Sequence, residues 1–89
     1  MSWSYDPAIL EADLNWIRLR IGDTDTNDQL ISDEEINSLL AMKNCKVAAA
    51  VAAANAISAK YTRYGAQKEA AVFRELAQVI SQELEVPYL

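Results

Sequence analysis

The stretch that most constrains this chain is Val47 to Ala59, 13 residues without a charge, of which eight are alanine. Alanine loses no side-chain entropy on entering a helix and has the highest helix propensity, so the run predicts a helix. It is short of the ~20 apolar residues needed to cross a bilayer, so the helix belongs to a water-soluble fold. With flanking residues it covers about Lys46 to Arg63. On a helical wheel Val47, Val51, Ala54, Ile57, Tyr61 and Tyr64 share one face, while Ala48, Ala49, Ala52, Ala56 and Ala59 occupy most of the other. Either the alanine face is an undemanding exposed side, or its smoothness lets another helix approach closely, from this chain or from a neighbouring subunit. Ala52 and Ala56 are the candidate contacts on that face.

Alanine also changes how composition reads. The hydrophobic share is 52%, but 15 residues are alanine, which fill little volume, so a modest core is expected. A length of 89 residues gives one domain, with an arm at residues 1–6 and a tail at 86–89. The chain has no histidine and one cysteine, which removes imidazole bases, Cys/His nucleophile pairs and multi-ligand zinc sites. The lone Cys45 cannot close an intramolecular disulfide and reads as a small residue buried between helices in a reducing compartment. Residues 1–6 show no basic segment followed by an apolar run, so no secretory signal is expected. Charge is segregated: residues 1–45 carry nine acids and three bases, residues 46–89 four acids and five bases. A net charge of −5 without a basic stripe argues against a tight grip on nucleic acid, which needs clustered Lys and Arg.

Caps and periodicity predict three further helices, and no segment alternates as a strand would, so the fold class is all-α, a small four-helix bundle with extended terminal segments. Asp6 and Pro7 form a start signal for the first helix, whose buried stripe is Leu10, Leu14, Ile17 and Ile21, with Gly22 as its left-handed stop. Glu11, Asp13, Arg18 and Arg20 are read as lying off that stripe. Ser32 and Glu35 make a capping box for a second helix, Asp33 to about Lys43, with Ile36, Leu39 and Leu40 inward and Asn44 as terminus. Gly65 ends the alanine helix, and the last runs from about Gln67 to Glu85 with Val72, Phe73, Leu76, Val79, Ile80 and Leu84 as its stripe. Pro87 stops it.

Few residues form patterns with chemical meaning. Asp23, Asp25, Asn27 and Glu34 match positions 1, 3, 5 and 12 of an EF-hand calcium loop, but the sixth position is Asp28 instead of glycine and the ninth is Ile31. A solvated acidic turn is the simpler reading, with a calcium-responsive module as the alternative. Asp33, Glu34 and Glu35 read as first-turn acids facing a helix dipole rather than as a catalytic pair. No serine has a histidine to activate it, so the reading has no catalytic residue, no cofactor and no metal. Trp3 and Tyr5 at one end, and Tyr88 and Leu89 at the other, are either lids folded on the bundle or anchors for a partner.

The segments Trp3-Ser4-Tyr5-Asp6-Pro7, Ile17-Arg18-x-x-Ile21-Gly22-Asp23-Thr24-Asp25 and Asp28-Gln29-Leu30-Ile31-Ser32-Asp33-Glu34-Glu35-Ile36 resemble the head-tail connector, or adaptor, family of tailed bacteriophages and prophages. The similarity is densest over residues 3–40 and continues to Ala59-Lys60-Tyr61, whereas the polar connection before the last helix is shorter than in many relatives. The resemblance implies a virion protein made in the host cytoplasm: a homo-oligomeric ring, commonly of twelve copies, docked on the portal protein and bridging it to a neck or tail-completion protein. DNA passes through the lumen without specific binding, and no membrane is involved. On that reading Trp3, Tyr5, Asp23, Asp25, Asp28, Ala52, Ala56, Tyr88 and Leu89 are the candidate interface residues. A small helical regulator that dimerises is the remaining alternative.

Overall fold

A computed structural model describes residues 2–85, with side chains as far as Glu83. Tyr88, Leu89 and the rest of the tail lie outside the described residues, as does the side chain of Leu84. Four helices follow in order, α1 (Asp13–Ile21), α2 (Asp33–Lys43), α3 (Lys46–Arg63) and α4 (Gln67–Glu85), with no strand among the described residues. The chain is all-α.

Both ends of α2 and the end of α3 lie where local chemistry places them. The Ser32 hydroxyl accepts from the Glu35 amide at 3.1 Å while the Glu35 carboxylate accepts from the Ser32 amide and hydroxyl, so α2 opens with a complete capping box. It closes at Asn44, the one non-glycine residue with positive φ (53°), whose amide donates to the Leu40 carbonyl at 2.8 Å. Gly65, at φ 76°, reverses the chain after α3 so that the Ala66 amide reaches the Tyr61 carbonyl at 2.8 Å. Any residue with a Cβ would be strained there.

The first helix departs from expectation. It starts at Asp13 with Ala12 as its cap, six residues later than the Asp6–Pro7 signal suggested. Asp6 does cap, but what it caps is a turn: its carboxylate accepts from the Ala8 amide at 2.9 Å and its carbonyl from the Ile9 amide at 3.1 Å. Asn15 then fixes this segment from inside, accepting from the Asp6 amide and donating to the Ile9 carbonyl. Leu10 is consequently exposed, not part of the core stripe.

Helix α3 is the axis on which the other three pack. Ala49, Ala50, Ala53, Ala54 and Ile57 are buried, and with Ile17, Ile21, Ile31, Ile36, Ala77 and Ile80 they make the core. Its bulk is isoleucine, each fully buried side chain worth about 1.5–3 kcal/mol, while alanine sets how closely the helices approach. The α3–α4 pair is the most extensive: the Ser58 hydroxyl donates to the Ala70 carbonyl at 2.7 Å, and the rings of Tyr61 and Phe73 stack with centroids 5.7 Å apart. Helix α2 packs on α3 elsewhere, and α2 and α4 do not meet. Their packing explains three corrections to the wheel. Ala70 and Ala77 take the face of α4 that meets α3, leaving Val72 and Val79 more than half exposed; Tyr64, at the end of α3, is 82% exposed; and Cys45, at the corner between α2 and α3, is exposed, not buried between helices.

Candidate interaction site: a guanidinium node and two open apolar surfaces

The three sequence blocks converge on one side chain. Arg18, read from the sequence as lying off the stripe, is completely buried. Its position on α1 is about 40° from Leu14 on one side and about 60° from the buried Asn15 on the other, inside the buried arc. Its Nε donates to the Ser4 carbonyl at 2.6 Å. One terminal nitrogen bonds the Asp23 carboxylate and the Ile31 carbonyl (2.8 Å), and the other bonds Asp33 at 2.5 Å. Four hydrogen bonds to three parts of the chain use the planar fork that only arginine offers.

Asp23 reaches this node because Gly22, at φ 76°, turns the chain back over the end of α1, where the Asp23 amide donates to the Arg18 carbonyl at 2.9 Å. The fully buried Asp23 carboxylate also accepts from the Leu30 amide (3.0 Å), the Ile31 amide (3.2 Å) and the Trp3 indole N–H (3.2 Å). Its burial corrects two expectations: Asp23 is neither part of a solvated loop nor a residue that a partner can meet at the surface. A buried ion pair is tolerated only when its remaining lone pairs and protons are satisfied, and every buried side-chain polar atom among the described residues has a partner.

The N-terminal arm closes the node. Trp3 lies with its ring over the guanidinium, 4.7 Å from the carbon to the ring centroid, so it is a lid on the bundle, with Tyr5 half-buried nearby in sequence. The Ser4 amide and hydroxyl both donate to Asp33, at 3.0 and 2.8 Å. The Asp33 amide donates to the Ser2 carbonyl, and the Ser2 amide to Glu34, each at 2.8 Å. Partial burial pushes the Asp33 carboxyl up, but the bonds from Arg18 and Ser4 outweigh it and hold the group below its ordinary value. The Ser2 amide likewise holds Glu34 low. These first-turn acids therefore anchor the arm as well as facing the helix dipole.

Further ion pairs link the periphery. Arg20 pairs with Glu83 through both terminal nitrogens and joins α1 to the end of α4. Trp16 carries Arg20 and Lys46 against its ring, at 5.1 and 4.8 Å. Lys60 reaches Glu35 at 3.4 Å.

The acidic loop is otherwise self-contained. Asp25 accepts from the Asn27 amide at 2.9 Å and from the Asp28 amide through its carbonyl, a turn whose carboxylates face water. Asp25 and Asp28 are exposed, while Asp23 and Glu34 are committed elsewhere, and no group of three or more metal-ligating side chains gathers among the described residues. Ala52 and Ala56 are half-buried. Ala56 forms part of the floor of an open groove of about 310 Å³ between α2 and α3, with Ile31, Leu39, Ser38, Glu34 and Glu35.

Sequence reasoning missed Arg18 and Asp33. The legible signal was a charged residue at the margin of the apolar arc, followed by a helix-ending glycine and an aspartate. No protein-family model, curated protein or solved structure matches the chain.

Proposed function

We propose that the chain is a structural subunit of the head-to-tail joint of a tailed bacteriophage. Identical copies form a ring that docks on the portal above and a neck or tail-completion protein below, and the genome passes through the middle. The observation that carries this reading is the convergence of the three blocks behind the connector resemblance on one buried guanidinium: Trp3 and Ser4, Arg18 to Asp23, and Ile31 to Asp33 are one physical unit. The protein works by surface fit, with no bond made or broken.

A ring needs two different patches on each subunit, one meeting the other on the next copy. The α2–α3 groove and the exposed apolar edge of α4 are two such patches on separate elements. Carboxylates such as Asp25 and Asp28, turned to the lumen, repel phosphate and let DNA slide. Electron microscopy of particles lacking this protein tests the reading: filled heads without tails are expected, and particles that still join heads to tails and keep their genome would overturn it. A strongly basic lumen in the assembled ring would remove the charge argument alone.

A further inference from the structure

The N-terminal arm sits on the body as a short peptide sits on a receptor. Ser2 donates its amide to Glu34 and accepts from the Asp33 amide, each at 2.8 Å; Ser4 donates to Asp33 at 3.0 Å and its carbonyl accepts from Arg18 at 2.6 Å. Between them Trp3 gives its indole N–H to Asp23 and its ring face to the guanidinium. These seat groups all belong to residues 18–34, on α1, α2 and the loop that joins them. The tether between the arm and α1 is held quite differently. Residues 6–11 are exposed throughout, and Ile9 and Leu10 are 43% and 36% exposed although apolar. Among the described residues, the tether's hydrogen bonds are turns of its own and two to Asn15. Drawn out at about 3.3 Å per residue, Asp6 to Ala12 reach about 23 Å. That compares with 22 and 26 Å for the two shorter dimensions of the molecule.

We propose that the arm is exchangeable: where copies of this chain assemble, Ser2, Trp3 and Ser4 of one copy plug the Arg18–Asp23–Asp33 seat of the next, with the tether drawn out between them. The occupant is specified by the seat itself, which already holds this peptide by its main chain and its indole. Because the arms are identical, each seat bond given up in one copy is remade in its neighbour. Exchange costs only the tether's turns and its two bonds to Asn15. A tethered arm competes for its own seat at an effective concentration on the order of 1 mM. Own seating therefore wins in dilute solution, and exchange sets in where copies are held side by side, as in a ring. Ile9 and Leu10 travel with the tether into the junction between copies and leave water there. Arm and seat are different patches, so the contact runs from copy to copy in one sense, as ring closure requires. The inference rests on the ring reading above and names a connection that would hold the ring together.

Cross-linking tests it. Two chains, both with Cys45→Ser, carry either Ser2→Cys or Gln29→Cys, two exposed positions that line one depression around Trp3. They are mixed in equal amounts and treated with a short bismaleimide, in concentrated solution and in assembled particles. Own seating joins no two chains, so a mixed dimer reports an arm in a neighbour's seat; it is the expected dominant linked species in at least one setting. Adding Trp3→Ala to the Ser2→Cys chain is expected to abolish the band. Asn15→Ala in the same chain frees the tether without touching arm or seat, and should raise the band several-fold. Circular dichroism of each variant confirms that the helices survive. Predominant Ser2→Cys homodimers, the absence of a mixed link in both settings, a band that survives Trp3→Ala or one that does not rise with Asn15→Ala overturns the proposal. Tailless particles on deletion combined with no mixed link would discard the exchange and leave the function standing. A mixed link in a virus that assembles normally without the protein would support the exchange and discard the function.

Discussion

The two halves of this molecule are held together in different ways. Residues 2–35 have little regular structure and are tied by directional bonds to a few charged groups, with one arginine at the centre. Residues 46–83 are nearly all helix and are held by close approach, with alanine against alanine and isoleucine filling the gaps. Directional bonding fixes a unique path for a chain too irregular to hydrogen-bond to itself. Packing tolerates sliding but fails when volume is added.

The contrast can be broken most severely at Arg18. Arg18→Ala leaves Asp23 charged, buried and without its counterion, and should destabilise the fold by about 3–5 kcal/mol in chemical denaturation. Arg18→Lys should recover only part of this, because an ammonium cannot make the four bonds of the fork. Near-native stability in Arg18→Ala would show that the first half is packed like the second. Ala53→Leu, at a fully buried position, should cost about 1–3 kcal/mol by overpacking. Ala56→Leu, in the open groove, should cost under about 1 kcal/mol in the monomer while blocking assembly, read by size-exclusion chromatography with portal present. Ser32→Ala removes the α2 cap and should cost about 1 kcal/mol with the fold retained.

The smallest effect concerns pH. Asp33, Glu34, Glu35 and Glu83 all have carboxyl groups below their ordinary values in the folded chain. Arg20 is the main cause at Glu83; at Glu35 burial raises the group, but the Ser32 bonds and Lys60 outweigh it. A group depressed in this way stabilises the fold above its unfolded value and loses that contribution as pH falls through the folded one. Stability should therefore be flat down to about pH 5 and decline below about pH 4, the ordinary carboxylate range. Asp33→Asn should start lower and decline less steeply, as followed by thermal melts across that range. An unchanged slope would remove Asp33 from the pH-sensitive set.

The difference between the halves also explains what could be read in the sequence. Most ends of α2, α3 and α4 were legible because they have a local cause, namely the Ser32 box, the left-handed Asn44 and the left-handed Gly65, although α3 opens at Cys45 without a side-chain cap. The start of α1 was misread because an aspartate before a proline caps a turn as readily as a helix, and the choice is made by Asn15, nine residues away. Arg18 was assigned to the outside by the habit of treating charge as exposed, although it sits only about 40° beyond Leu14, between the apolar stripe and the buried Asn15. Val72 and Val79 were assigned inward by apolarity alone, whereas the tight fit against α3 is made by Ala70 and Ala77 on another face. The alanine face was read as either an undemanding exposed side or a surface for close approach; of its residues Ala49 is buried, Ala48, Ala52 and Ala56 are half-buried and Ala59 is exposed, while the interior takes Ala50, Ala53 and Ala54 instead.

Cys45 projects into water from the corner between α2 and α3, and its side chain makes no capping bond. One thiol per polypeptide, at a position the architecture does not depend on, is a built-in attachment point for a single fluorophore. Stepwise photobleaching of labelled assemblies would then count the subunits directly, without any engineered tag.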